Sequence, residues 1–220
     1  MSGAAGASPV RLACVDLPAW PLQLLLRREP SWRGQAAAVV AEDGPQAPLL
    51  WVNEAARRGG ILPGMRYAAA LSLDRNLRAG TVAPAEIAAA GERLHRHLLR
   101  YSPRVEPAAN DPGVFWLDAG GLERVSGAPG QWAGRLWRSL RRAQLVAGVT
   151  VGYTRFGACC LSRAHREVLV LDAPADELAA CRRVPLARLD LEPAVRDDLA
   201  RLGLATIDDL LRLPASGLGA

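Results

Sequence analysis

The fold is decided by Tyr101–Pro107 (YSPRVEP) and, after a short turn, by Gly113–Leu122 (GVFWLDAGGL). Turn-forming residues such as Asn110 and Pro112 separate these two apolar runs. The second run is β-branched and aromatic, and it ends in a Gly-Gly pair, which interrupts a strand. We therefore predict a β-hairpin at the centre of a sheet, with a helix starting at Leu122.

Composition indicates a globular protein of one or two domains. The chain has 220 residues, 50% of them hydrophobic. None of its apolar runs reaches the ~20 residues that span a bilayer. Residues 1–9 are small, with neither a basic start nor an apolar signal core, and we expect a flexible terminus. A cytoplasmic location without membrane association is the resulting expectation.

Arginine carries all of the positive charge other than that of histidine. The net charge is +5, and the sequence contains no lysine. This excludes a Schiff-base lysine and a Walker-type phosphate loop, because both need the amine. Guanidinium groups bind phosphates well, so the charge favours an anionic partner such as DNA. A genome composition that replaces lysine by arginine accounts for the choice of residue.

The cysteines and histidines do not predict a metal site. The four cysteines lack C-x-x-C spacing, and we expect reduced structural thiols. His95 and His97 are two residues apart on a predicted helix and therefore point in different directions. We predict neither a metal nor a cofactor.

Four motifs resemble those of the Y-family (translesion) DNA polymerases, in the family's order. Phe115–Asp118 matches the end of the third palm motif, and Val10–Leu17 resembles the first palm strand. Asn53–Met65 and Val151–Gly157 are the more specific matches. The resemblance implies an α+β right hand with a ferredoxin-like βαββαβ palm, small α/β fingers and a helical helix-hairpin-helix thumb.

The same resemblance divides the chain into parts of that hand. Residues 10–19 and 80–170 correspond to the palm, residues 20–79 to the fingers and residues 171–220 to a partial thumb. Members of the family continue into the rest of the thumb, a little finger and a tail. We therefore expect that this sequence is a truncated piece, in which the little finger and the C-terminal tail are absent.

The resemblance also implies that the catalytic carboxylates are lost. Asp16 matches the first metal-binding aspartate of the family, but Gly113 and Val114 stand where the family has its other metal-binding aspartate and a neighbouring glutamate. Two-metal nucleotidyl transfer needs carboxylates that hold cations ~3.5–4 Å apart. One aspartate cannot hold that pair, so we interpret Asp16 as a relic carboxylate in a pseudo-enzyme.

The nucleotide contacts implied by the family are mostly replaced. Arg57 matches an arginine that contacts the triphosphate, but Glu54 stands where the family has a tyrosine, and Gly157 where it has a lysine. An acid beside a triphosphate repels it, which argues against nucleotide binding. Arg155 lies close enough in sequence to Gly157 to compensate in part for the missing lysine.

The thumb and one basic helix supply candidate DNA contacts. Helix, turn and capped helix around Thr206 and Asp209 resemble a helix-hairpin-helix module, in which backbone N–H groups face a phosphate. The matching first hairpin has acids at Asp190 and Glu192, so a purely structural thumb stays open. The candidate DNA contacts are Gly203, Thr206, Arg201, Arg138 and Arg141.

Within the family, the combined motifs resemble the catalytically degenerate polymerase-like subunits of bacterial mutasomes. That resemblance implies a scaffold in SOS-induced translesion synthesis and mutagenesis. It also implies the partners: a RecA-like ImuA protein, an error-prone C-family DNA polymerase and the sliding clamp, through regions beyond residue 220. Two alternatives remain. One is a weakly active translesion polymerase in which Glu106, Asp111 or Asp118 supplies a displaced ligand, and the other is a stand-alone DNA-binding module.

Overall fold

The computed structural model describes residues 10–189, 191 and 193–213, which form two compact units. One unit contains the described residues up to Asp16, His97–Ala108 and the described residues from Val114 onward. The other contains Leu17–Arg96 and Ala109–Gly113. The predicted flexible terminus, residues 1–9, lies outside the described residues. The predicted palm, fingers and thumb boundaries stay predictions.

Strands and helices are interspersed along the described part of the chain. Strands β1 to β8 span Leu12–Asp16, Ala37–Val40, Leu49–Val52, Arg78–Gly80, Val105–Pro107, Val114–Asp118, Gly148–Gly152 and Val168–Val170. Helices α1 to α10 span Trp20–Arg28, Glu54–Arg58, Tyr67–Leu73, Pro84–Leu98, Glu123–Ser126, Pro129–Arg142, Arg155–Ala164, Pro174–Arg182, Pro193–Arg201 and Ile207–Leu211.

The larger sheet has the strand order β5-β6-β1-β7-β8. β1 pairs antiparallel with β6 and β7, and β5 pairs antiparallel with β6. The order β7-β1-β6-β5 is that of a βαββαβ ferredoxin-like sheet, to which β8 adds a parallel edge strand. The predicted α+β class and palm topology are therefore confirmed.

The predicted central position of the β5–β6 hairpin is wrong, because β5 is an edge strand and β1 occupies the centre. β5 has three residues, and Pro103 and Pro107 flank and end it. Proline lacks the N–H that a second neighbour would need, which suits a sheet edge. Four of the five residues of β1 are buried, as a central strand requires.

Helices cover both faces of this sheet. Cys14 and Asp16 of β1 share one face with their lateral partners Val114 and Thr150, and we call it the Asp16 face. α7 covers it, and the Ser162 hydroxyl donates to the Cys14 carbonyl at 3.1 Å. By alternation Val149 and Val151 point to the opposite face, where α6 packs against β7 and β8.

Beyond this sheet, α8 and α10 pack with α7 around buried apolar side chains that include Leu161, Leu186 and Ile207. In the second unit, β2 lies between β3 and β4, and all of its residues are buried. Apolar side chains of α1 and α3 pack in the two clusters around it. None of the helices formed by the described residues is long and apolar enough to cross a membrane.

The cysteines are free thiols in packed surroundings. Burial raises the pKa of Cys160 to about 12 and the pKa of Cys181 to about 11, and it also raises the pKa of Cys14. A thiol with a raised pKa forms little thiolate and reacts slowly. These side chains therefore act as small apolar groups, in line with the prediction of reduced structural thiols.

Thr150, on β7, has a buried hydroxyl group without a hydrogen-bond partner. It is fully buried, and its Oγ1 makes no hydrogen bond. Replacing an unpaired buried hydroxyl by a methyl group of similar size removes a desolvation cost. We expect Thr150→Val to raise the free energy of unfolding by about 1 kcal/mol. Urea unfolding measures this, with Thr150→Ser, which keeps the hydroxyl, as control. A less stable Thr150→Val chain would contradict it.

Candidate functional site

Asp16 stands at the end of β1, and neither of its lateral partners on the flanking strands is a carboxylate. Its lateral partners are Val114 on β6 and Gly148 on β7, and neither has an oxygen in its side chain. Asp16 is 5% exposed. In the part of the chain that the structure describes, no group of three or more His, Cys, Asp or Glu side chains is placed to hold a metal ion. These residues do not suit a two-metal centre, which needs several carboxylates.

Gly113 precedes Val114 and has no space for a side chain. Its φ is +106°, and its carbonyl accepts the Leu17 N–H at 3.0 Å. A Cβ added here would lie 2.8 Å from the Leu17 carbonyl oxygen and 2.8 Å from the Cβ of Trp20. Trp20 is buried. The position that the resemblance assigns to a metal-binding aspartate is therefore closed by backbone and by an indole-bearing residue.

Two of the acids considered as displaced ligands, Asp118 and Glu106, bind other groups of the first unit. Asp118 pairs with Leu12, at the other end of β6 from Val114, a separation of about 13 Å along a strand. Its Oδ1 accepts the Gly120 N–H at 2.9 Å. Asp111 lies half-exposed in the turn before β6.

Glu106 and Arg155 form a two-pronged ion pair. The distances are 2.7 Å from Nη1 to Oε1 and 2.5 Å from Nη2 to Oε2. The hydrogen bonds from Arg155 hold the pKa of Glu106 below its ordinary value. The guanidinium carbon also lies 5.4 Å from the centre of the Trp116 ring. Arg155, considered as a substitute for the missing lysine, is therefore already engaged with a carboxylate and an indole.

A buried carboxylate from α8, which the sequence did not reveal, lies against the start of α7. Glu177, from α8, is 3% exposed and accepts the backbone N–H groups of Tyr153 and Thr154 and the hydroxyl of Thr154. A Cβ at Gly152 or Gly157 would overlap its oxygens. The signal in the sequence was the glycine pair itself, since glycine at a strand end and in a first helical turn marks a close approach.

The Glu177 carboxylate occupies the space beside Gly157, the position to which the resemblance assigns a triphosphate-binding lysine. The partial positive charge at the start of a helix attracts anions, and Glu177 supplies one from within the chain. Gly157 is glycine because the carboxylate of Glu177 lies against it. A lysine at position 157 and Glu177 in its present place exclude each other sterically.

In the second unit, Asn53 organises the segment that carries Arg57. Its Oδ1 accepts the N–H of Ala56 at 2.9 Å and that of Ala37 at 3.1 Å, which caps α2 and ties it to β2. Arg57 is exposed and makes no ion pair among the described residues. Glu54 is also exposed, in the first turn of α2. The local frame of the predicted motif is therefore present, with an acid in its first helical turn.

The thumb candidates use their hydrogen-bonding groups within the chain. Asp209 Oδ2 accepts the N–H of Ala205 at 3.1 Å and that of Thr206 at 2.9 Å, and Thr206 caps α10. The Thr206 hydroxyl also donates to Oδ2, at 2.8 Å, and this hydrogen bond, together with the two from the N–H groups, lowers the pKa of Asp209. The Gly203 N–H donates to the Ala200 carbonyl, and Arg201 pairs with Asp198 at 3.0 Å.

Asp190 and Glu192, the acids of the predicted first hairpin, lie outside the described residues. The remaining DNA candidates, Arg138 and Arg141, are both exposed on α6. The guanidinium carbon of Arg141 lies 4.8 Å from the centre of the Trp137 ring, over which it stacks.

Comparison with known proteins decides the family. The family model described as impB/mucB/samB matches residues 15–163, more than half of the chain.

The chain belongs to the impB/mucB/samB family.

Within the family, the chain is similar in sequence to two curated relatives that share one name. Protein ImuB of Caulobacter vibrioides, from the strains NA1000 / CB15N and CB 15, is 32% identical over 159 residues, which is 72% of this chain and 34% of that protein. The resemblance predicted within the family is confirmed by this match. The chain spans about a third of the length of these relatives.

Solved structures confirm the fold. DinB from Sulfolobus solfataricus matches with a TM-score of 0.72 at 18% identity, over 94% of this chain and 62% of that one. The insertion ternary complex of Dbh DNA polymerase matches with a TM-score of 0.71 at 16% identity, over the same shares. At these identities the likeness concerns the fold alone. This impB/mucB/samB chain therefore has the fold of Y-family polymerases, while its own residues determine its chemistry.

Proposed function

We propose that this chain is part of a non-catalytic member of the impB/mucB/samB family that acts as a scaffold in DNA damage tolerance by translesion synthesis. One observation carries the proposal: the lateral strand partners of Asp16 are Val114 and Gly148, which are not carboxylates, and Gly113 has no space for the missing carboxylate. Similarity to Protein ImuB supports the same function.

The chemistry of nucleotidyl transfer makes these losses cumulative. A two-metal enzyme stabilises both the attacking and the leaving oxygen with cations that several carboxylates hold. Asp16 alone provides one ligand, and the start of α7 already contains the Glu177 carboxylate in place of a phosphate-binding group. Losing the cation ligands and the triphosphate contact together removes both parts of the reaction, which favours a scaffold over a weak polymerase.

The partners of such a scaffold follow from the proposed function and stay proposals. They are DNA, a RecA-like ImuA protein, an error-prone C-family polymerase and the sliding clamp. SOS induction and a cytoplasmic location belong to the same proposal. A stand-alone DNA-binding module would need none of these protein partners.

Primer extension tests the absence of catalysis. We expect the full-length gene product to extend no primer in magnesium or manganese, and Asp16→Ala to behave like the unaltered protein, because a lone relic carboxylate does no chemistry. An active Y-family polymerase serves as positive control under the same conditions. Extension by the unaltered protein that disappears in Asp16→Ala would overturn the proposal.

A further inference from the structure

One helix of the first unit presents an unusually basic surface. Its outward side, which we call the α6 basic face, carries exposed arginines, and α6 contains no acidic residue. The apolar side of the same helix is buried through Leu136 and Leu140. The members of the α6 basic face are Arg135, Arg138, Arg141 and Arg142.

The spacing of these arginines forms a stripe. Arg135, Arg138 and Arg142 follow each other at three and four residues, so they lie on one side of the helix over about 10 Å. Neither Arg138 nor Arg142 makes an ion pair among the residues that the structure describes. Their charge is therefore available to a partner.

The other two arginines are held by the chain itself. Arg135 donates to the Ser126 carbonyl at 2.5 Å, and Arg141 stacks over Trp137. Trp137 is in turn fixed, because its Nε1 donates to the Ala147 carbonyl at 3.0 Å. A fixed guanidinium loses little side-chain entropy when it binds, which makes the surface suited to recognition.

The α6 basic face lies on the side of the sheet opposite to Asp16. α7 covers the Asp16 face, whereas α6 packs against β7 and β8 from the other side. A primer-template held at the Asp16 end of β1 would be separated from α6 by the sheet. The basic face is thus free to bind something else.

We propose that the α6 basic face docks an acidic helical segment of a partner protein. Affinity for DNA grows with the number of phosphates that arginines neutralise, and this face offers only two guanidiniums without an ion pair among the described residues. Two or three carboxylates along one side of a helix match the stripe, and arginine binds carboxylates with two parallel hydrogen bonds. The proposal gives the scaffold function a protein-binding surface and rests on that function.

Binding of designed probes tests the proposal. The probe is a labelled peptide helix of three to four turns with glutamates at i, i+4 and i+7, and its control has the same composition with the glutamates on all sides. Fluorescence anisotropy at low salt compares the full-length protein with Arg138→Glu/Arg142→Glu. The matched control, Arg58→Glu/Arg75→Glu, changes two exposed arginines of the other unit. A single-stranded oligonucleotide is the second probe.

We expect the charge reversal on α6 to weaken binding of the striped peptide about tenfold or more, while the control variant keeps it. A peptide with arginines at the same three positions should bind Arg138→Glu/Arg142→Glu instead, which excludes misfolding as the cause. Equal binding of both peptides, or no effect of the reversal, would overturn the proposal. Loss of oligonucleotide binding alone would also overturn it, in favour of a phosphate site.

The two experiments distinguish a failure of the docking site from a failure of the proposed function. Primer extension uses the Asp16 face, so an active chain that still binds the striped peptide would overturn only the absence of catalysis. An inactive chain that ignores the peptide would overturn only the docking site.

Discussion

Replacing Gly113 by aspartate, the change that would return the family's carboxylate, is expected to destabilise the chain by about 3 kcal/mol or more and to create no metal site. The φ of +106° costs a residue with a Cβ about 1–2 kcal/mol. The remaining destabilisation comes from steric overlap, because the added Cβ lies 2.8 Å from the Leu17 carbonyl oxygen and 2.8 Å from the Trp20 Cβ. The first is a backbone atom and the second is bonded directly to the backbone. Neither can rotate away as a flexible side chain would.

Urea unfolding and manganese titration together measure this result. Gly64→Asp is the matched control, because Gly64 belongs to the same unit and has a φ of +87°, but nothing lies within 4 Å of an added Cβ. The control should show the backbone cost alone. Equal stability of the two variants would mean that Trp20 yields without cost, and manganese binding by Gly113→Asp would show that the centre can be rebuilt.

A lysine at position 157 is expected to have an equally large effect. Gly157→Lys forces its Cβ into the carboxylate of Glu177. Overpacking costs about 1–3 kcal/mol. If Glu177 moves out, the N–H groups of Tyr153 and Thr154 lose their acceptor at a further cost of about 1–3 kcal/mol. We expect a total loss of about 3 kcal/mol or more, without gain of nucleotide binding.

A double-mutant cycle with Glu177→Val shows whether the two positions are coupled. The double variant should be more stable than the sum of the single changes predicts, by about 1–3 kcal/mol. Gly130→Lys is the matched control, because Gly130 also lies in the first turn of a helix, with nothing within 4 Å of an added Cβ. Strictly additive effects would contradict the steric account of Gly157.

The strands and helices of this chain could be predicted largely from local pattern. β6 and β7 have alternating or continuous apolar residues that only a sheet can bury, and α6 has apolar residues at helical spacing on one side. The central position of β1 could not be read locally, because the position of a strand in a sheet depends on pairing between distant residues. The two prolines around β5 were the available signal.

At the candidate site, the sequence predicted which positions differ from the family's motifs. It did not predict the contacts that the residues at those positions make. Alignment with the family's motifs identified Gly113 and Gly157. The residue that leaves no space for a side chain at each position lies far away in the sequence. Glu177 follows Gly157 by twenty residues and reaches it only through the packing of α8 on α7. Long-range contacts of this kind leave no periodic signal in the sequence.

The packing around Gly113 and Gly157 bears on how such a chain could evolve. At each position, the first step back towards an active polymerase lowers stability before it can restore any chemistry, and at Gly157 it gains nothing unless Glu177 changes as well. Proteins tolerate only a few kcal/mol of such loss. A non-catalytic chain, as proposed, would therefore meet a stability barrier on any path back to the family's carboxylate and lysine, even under renewed selection for catalysis.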